Sequence, residues 1–149
     1  MPAVAVVVPA YNAAASLAET LDALEAQTMP REAFCVIVVD DGSTDATASL
    51  AAARGAAVIS QANAGPAAAR NAGAAAAPAD CEILVFTDAD CVPAPDFLTR
   101  LTAPLADPDI AGAQGAYRTR QRSLIARFAQ IEFEDRYAYV ARRPTIDLV

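Results

Sequence analysis

Thr87-Asp88-Ala89-Asp90 places two carboxylates one residue apart where the apolar run Ile83-Leu84-Val85-Phe86 runs out. In an extended strand, side chains i and i+2 share a face, so Asp88 and Asp90 can aim at one point. Two like charges held together call for a counter-charge. A divalent cation supplies one, and Mg²⁺ takes oxygen ligands while keeping positions open for phosphates. An isolated Asp-x-Asp pair is also common in solvated turns, so the reading needs support from the rest of the chain.

Two other turns give it. Asp40-Asp41-Gly42-Ser43-Thr44-Asp45 follows the apolar run Val36-Ile37-Val38-Val39, and Pro9-Ala10-Tyr11-Asn12 follows Val4-Ala5-Val6-Val7-Val8. Each turn stands between a strand pattern and a helical pattern. In open α/β sheets, ligands bind in the crevice at the carboxyl ends of the strands. Several chemically apt turns at that end weigh more than one.

The elements that must position these turns alternate. Strands are expected at 4–8, 34–39, 57–60, 82–86 and 110–117, and helices at 15–27, 44–54, 65–76, 95–105 and 123–142. Leu17, Leu21 and Leu24 have helical spacing. Ser43 or Thr44 suits a cap for the second helix, Gly55 its end, and Pro66 the first turn of the third. Alternation of this kind implies a parallel sheet with right-handed crossovers, and near-continuous apolar strands imply helices on both faces. The expected fold class is α/β, a three-layer sandwich with a mainly parallel sheet, in one domain over residues 1–149.

Composition narrows the function. The 149 residues carry a net charge of -7, with 18 acidic residues against 11 basic ones, and there is no histidine. All the basic residues are arginine. An acidic chain is unsuited to a general nucleic-acid surface, although a bound cation would invert the local field around a nucleotide. The lack of histidine removes His-based triads and His-based metal sites. Cys35, Cys81 and Cys91 have neither zinc-site nor disulfide-framework spacing. Cys35 and Cys81 read as small packing residues, and the Cys91 thiol suits softer metals than an oxygen-rich turn. No apolar stretch approaches a membrane span of about 20 residues. No charged leader precedes the first strand, so the expected setting is cytoplasmic, peripheral to the membrane in a fuller form.

Val8-Pro9-Ala10-Tyr11-Asn12, Val39-Asp40-Asp41-Gly42-Ser43-Thr44-Asp45, Gly65-Pro66-Ala67-Ala68-Ala69-Arg70-Asn71-Ala72-Gly73 and Thr87-Asp88-Ala89-Asp90 occur in that order. This series resembles the nucleotide-sugar-binding half of a family 2 glycosyltransferase with the GT-A fold, from Val4 to about Tyr117. The resemblance implies an inverting transfer from a nucleotide-diphosphate sugar, with UDP expected, to a carbohydrate or lipid-linked acceptor. It implies that Tyr11, in the Pro9–Asn12 turn, stacks on the base. Asp41 would accept a hydrogen bond from the base, with Asp40 shaping its turn. Arg70 would lie near base or phosphates. Asp88 would contact ribose or metal, and Asp90 would be the main ligand of Mg²⁺ or Mn²⁺. Against each role stands a plainer one: Tyr11 as a turn aromatic, Asp40 and Asp45 as turn closers, Arg70 as a surface-paired helix residue.

The resemblance also implies a carboxylate base downstream of Asp-x-Asp. The late acidic cluster, Glu132-Phe133-Glu134-Asp135, lies inside a helical pattern between Arg127 and Arg136 and reads as a solvated face. The expectation is therefore a truncated chain that keeps the donor site and lacks the acceptor side, with another strand beginning at 145–149. Leu124, Phe128, Ile131, Tyr137 and Val140 form an apolar stripe that could pack on the sheet or against a second copy. Two other functions stay open: a non-catalytic nucleotide-sugar-binding or assembly module, and a nucleotidyltransferase. The latter is disfavoured by a first turn with no glycine, lysine or arginine.

Overall fold

Valine and isoleucine dominate the two longest strands because each is covered on both faces. In the computed structural model, which describes residues 3–119 and 123–141, these are β1 (Val4–Ala10) and β2 (Phe34–Asp40). Two shorter strands, β3 (Ala57–Ser60) and β4 (Ile83–Phe86), complete a parallel four-stranded sheet in the order β3-β2-β1-β4. The chain divides between Ala111 and Gly112 into two compact units, and the sheet belongs to the first.

Side chains alternate across the sheet. Val4, Val6, Val8, Val36 and Val38 face α1 (Ala14–Glu25), whose Leu17, Leu21 and Leu24 are buried against them. The same core takes in Ala51 of α2 (Thr47–Ala53) and Leu98 of α4 (Phe97–Thr102). Ala5, Val7, Ile37 and Val39 face the other way, against Ala69 of α3 (Pro66–Ala75). The result is the expected three-layer α/β arrangement. α3 lies unusually close to the sheet. A Cβ added to Gly73 would stand 2.3 Å from Val7 Cγ1 and 3.0 Å from Val39 Cγ2. That approach needs glycine, and it brings Arg70, nearly one turn earlier, down to the strand ends.

Several boundaries differ from the sequence expectation. The second helix starts at Thr47 rather than Thr44, because Ser43 and Thr44 are engaged across the sheet end instead of capping. It does end at Gly55, which has φ +75°. The fourth helix covers only Phe97–Thr102 and then tightens into a 3₁₀ turn, Ala103–Ala106. Pro104 has no N–H to give, and its ring crowds the preceding turn. The strand expected at 110–117 is not formed: residues 110–119 are irregular. A strand requires a neighbouring edge to complete its ladder, which the residues of the strand itself do not reveal.

The second unit holds α5 (Leu124–Ala141). The Gln130 side chain receives the Thr119 N–H at 2.7 Å and donates to the Tyr117 carbonyl at 3.3 Å. Leu124 and Ile131 of the expected stripe are 84% and 55% exposed. The side chains of Phe128 and Val140, and the strand expected at 145–149, lie outside the described residues. No helix among the described residues is long and apolar enough to cross a membrane.

Candidate functional site

The crevice arises where β1 and β4 part. β1 stays paired with β2 as far as Ala10 opposite Asp40, but its ladder with β4 stops at Val7 opposite Phe86. The last link there is the Thr87 N–H to the Val7 carbonyl, 3.2 Å. Odd residues of β1 direct their backbone groups toward β4, so Pro9, which has no N–H, forfeits no ladder bond. This gap is also the switch point of the sheet: β2 and β3 lie on one side of β1 and β4 on the other. A cleft of about 370 Å³ opens here, bounded by Pro9, Tyr11, Asp41, Asn63, Gly65 and Asp88.

Asp41 is buried, yet its carboxylate is fully engaged. Oδ1 accepts from Gln61 Nε2 at 2.7 Å and from the Ala64 N–H at 2.9 Å, and Oδ2 accepts from the Gly65 N–H at 2.9 Å. The Ala64 amide, then the Gln61 side chain, then the Gly65 amide hold its carboxyl below the usual aspartate range, against the opposing effect of burial. Asp41 thereby fixes the segment 61–65, which forms one wall of the cleft. Gly65 has φ +89°, a left-handed value that lets the chain turn into α3. Asp40, also buried, closes its own turn by accepting from the Ser43 N–H at 3.2 Å.

The turns after β1 and β2 are clasped together. Asn12, at φ +48°, accepts from the Thr44 N–H at 2.8 Å through Oδ1, and its own N–H donates to Ser43 Oγ at 2.8 Å. The Ala13 N–H donates to Thr47 Oγ1 at 2.8 Å and the Ala14 N–H to Asp45 Oδ2 at 3.1 Å. Asp45 Oδ1 accepts from both the N–H and the hydroxyl of Thr47, and the Thr47 contacts chiefly depress its carboxyl. Tyr11, immediately before the clasp, is 54% exposed at the cleft.

Across the cleft the acidic turn is sparsely bonded. Arg70 Nη2 donates to Asp88 Oδ1 at 2.6 Å, with both side chains partly exposed. Asp90 is exposed, and among the described residues its carboxylate accepts only the long 3.9 Å contact from the Cys91 thiol. Ligand atoms of Asp88, Asp90 and Cys91 lie within 4.8 Å of one another. Burial, and then the Asp90 carboxylate, push the Cys91 thiol up. The two carboxylates fit a hard divalent cation, whereas a thiol suits softer metals.

Pro9, Tyr11, Asp41 and Asp88 meet at the cleft, and Arg70 reaches it through Asp88. Asn12 and Asp40 lie just behind, engaged with neighbouring turns. Gln61 and Asn63 went unnoticed in the sequence reading. The signal was present: Gln61-Ala62-Asn63-Ala64-Gly65 is a polar turn directly after β3, as the other turns follow β1, β2 and β4.

Residues 5–146 match the family model "Glycosyl transferase family 2". The chain belongs to this family. The glycosyltransferase AglE of Haloferax volcanii is 36% identical over 106 residues, covering 67% of this chain and 34% of that relative. Among solved structures, the mannosyltransferase PcManGT of Pyrobaculum calidifontis, in complex with GDP-Man and Mn²⁺, superimposes with TM-score 0.65 and 37% identity. The match covers 73% of this chain and 34% of that one. S. aureus TarS in complex with UDP-GlcNAc matches with TM-score 0.64 and 25% identity, over 83% of this chain and 39% of that one. The fold is therefore that of the GT-A glycosyltransferases, and this family 2 chain spans between a third and two-fifths of the length of these relatives.

Proposed function

We propose that this family 2 chain forms the donor side of an inverting glycosyltransferase, binding a UDP-sugar together with Mg²⁺ or Mn²⁺. The observation that carries the reading is the meeting of Tyr11, Asp41, Arg70 and Asp88, from separate strand ends and α3, at the switch-point cleft. The nucleotide-sugar complexes of PcManGT and TarS support the ligand class. Tyr11 offers a ring face for the base. The wall at 61–65, held by Asp41, offers polar groups to the base edge. Arg70 offers its remaining guanidinium donors to the diphosphate. Asp90 and Asp88 would hold the cation, which as a Lewis acid offsets the charge of the departing nucleoside diphosphate. The acceptor would be a carbohydrate or a lipid-linked sugar.

Donor binding and transfer are separable in this chain. Transfer needs a base within hydrogen-bond reach of the acceptor hydroxyl, about 2.6–3.2 Å. The late cluster is a weak candidate: Glu132, Glu134 and Asp135 are exposed on α5, and Glu134 accepts from Gln130 of its own helix at 3.0 Å. The chain then serves as a donor-binding module, and residues 1–149 by themselves transfer little sugar. The exposed Leu124 and Ile131, seven residues apart and hence on one face of α5, favour self-association through that helix. Light scattering of the chain and of Ile131→Lys tests that.

Calorimetric titration with UDP, CDP, GDP and ADP, with Mn²⁺ and with chelator, tests the main reading. UDP binding strengthened by Mn²⁺ is the expected result. Equal affinity for all bases, unaffected by chelator, would sink it.

A further inference from the structure

The proposed donor site depends on how Asp88 and Asp90 are spaced, and the residue between them is hydrogen-bonded to one 69 positions earlier in the chain. Thr20 sits mid-way along α1, fully buried, at helical spacing from the buried Leu17 and Leu24. Its position falls within the apolar stripe of the helix. A helical threonine commonly turns its hydroxyl back to a carbonyl of its own preceding turn. Here the hydroxyl instead donates to the Ala89 carbonyl at 3.0 Å. A buried hydroxyl or carbonyl left without a partner is costly, so each group fixes the other.

Ala89 is the residue between the two carboxylates. Its methyl group belongs to the same apolar core as the α1 leucines, and the residue is 8% exposed. It is thus held inward twice, by its side chain and by its carbonyl. Asp88 and Asp90, on either side, are turned outward together, one partly exposed and one exposed. The segment just past the end of α1 makes a similar tie. Gln27 donates to the Ala94 carbonyl at 2.7 Å and accepts from the Leu98 N–H at 2.9 Å. The Thr28 N–H donates to the Pro95 carbonyl at 2.8 Å. The segment from Ala89 to Leu98 is therefore tied at one end to α1 and at the other to the residues that follow it.

We infer that Thr20 is a positioning residue for the acidic turn: its hydroxyl, by holding the Ala89 carbonyl, sets the geometry in which Asp88 and Asp90 present their oxygens to a divalent cation. The inference rests on the donor-site reading. Thr20→Val keeps the shape and removes the donor, and Thr20→Ser keeps the donor and removes the methyl group.

The test is UDP affinity of the 149-residue chain with Mn²⁺ and with chelator, alongside Mn²⁺ binding alone by electron paramagnetic resonance. Thr20→Val should lower the Mn²⁺ enhancement of UDP binding about fivefold to tenfold while leaving the chelator value within about twofold. It should weaken Mn²⁺ binding alone in parallel, and Thr20→Ser should restore both. An unchanged enhancement in Thr20→Val would overturn the inference. So would an equal loss with and without Mn²⁺, or failure of both variants to fold, since either assigns Thr20 to the core only. Wild-type UDP binding indifferent to Mn²⁺ would overturn the donor reading itself and this inference with it.

Discussion

The turn after β2 and the turn after β4 each present two aspartates at the carboxyl end of the sheet, yet their electrostatic situations are opposite. Asp40 and Asp41 are 6% and 4% exposed, and both oxygens of Asp41 accept hydrogen bonds. Asp88 shares one oxygen with Arg70, and exposed Asp90 has, among the described residues, only the distant Cys91 thiol. A buried carboxylate must be saturated with donors or it will not stay ionised. Asp41 meets that demand with three donors and so becomes rigid construction, holding the 61–65 wall. The β4 turn keeps its charge at the surface, where two carboxylates remain available to a cation. One residue type at one topological level thus builds the site in one place and supplies its chemistry in the other.

The largest test of this contrast is Asp90→Ala. Loss of a direct metal ligand should cost at least as much as loss of a supporting group, about 10-fold to 100-fold in Mn²⁺-supported UDP affinity. The value with chelator and the thermal midpoint should hardly move. A variant that lost stability instead would place Asp90 with the builders.

Asp41→Ala should do the converse. Removing the acceptor leaves the Ala64 and Gly65 amides and Gln61 without their partner. UDP affinity should fall about tenfold with and without Mn²⁺ alike, and base discrimination should narrow. An unchanged nucleotide panel would detach base recognition from this wall.

Acid sharpens the comparison further. The folded carboxyls of Asp41 and Asp45 are both depressed. Their stabilisation is therefore fully present above the unfolded aspartate value of about 3.9 and is lost as pH falls through their lower folded values. Asp41→Asn with Asp45→Asn should lower the urea midpoint at pH 7, and its gap from wild type should narrow as pH falls below about 3.9. A gap that does not narrow in acid would deny the depressed carboxyls their part.

The smallest effect belongs to the ion pair across the cleft. Arg70 and Asp88 are both more than a third exposed, so solvent screens them, and Arg70→Met should change stability by about 0–1 kcal/mol. Its effect on UDP binding should be larger than its effect on stability. The reverse would make Arg70 a structural residue.

Much of this architecture was legible before any coordinates. Apolar runs of period two or none, alternating with Leu17-Leu21-Leu24 spacing, specify strands and helices by local chemistry. Polar residues right after those runs locate the ligand end. Gly55 and Pro66 mark helix ends because backbone freedom at those residues is intrinsic to them. The failures share one cause. The strand expected at 110–117 depended on a partner edge. Ser43 and Thr44 look like helix caps, yet Asn12, 31 and 32 residues away, claims them. Thr20 looks like a polar interruption of an apolar stripe until the Ala89 carbonyl is placed beside it. What the sequence by itself determined is the set of elements, their order and the ends that carry chemistry, all of which follow from interactions within a few residues. Only the tertiary structure decided which aspartates are saturated and which stay open, because a hydrogen-bond partner is a neighbour in space and the chain does not record that distance.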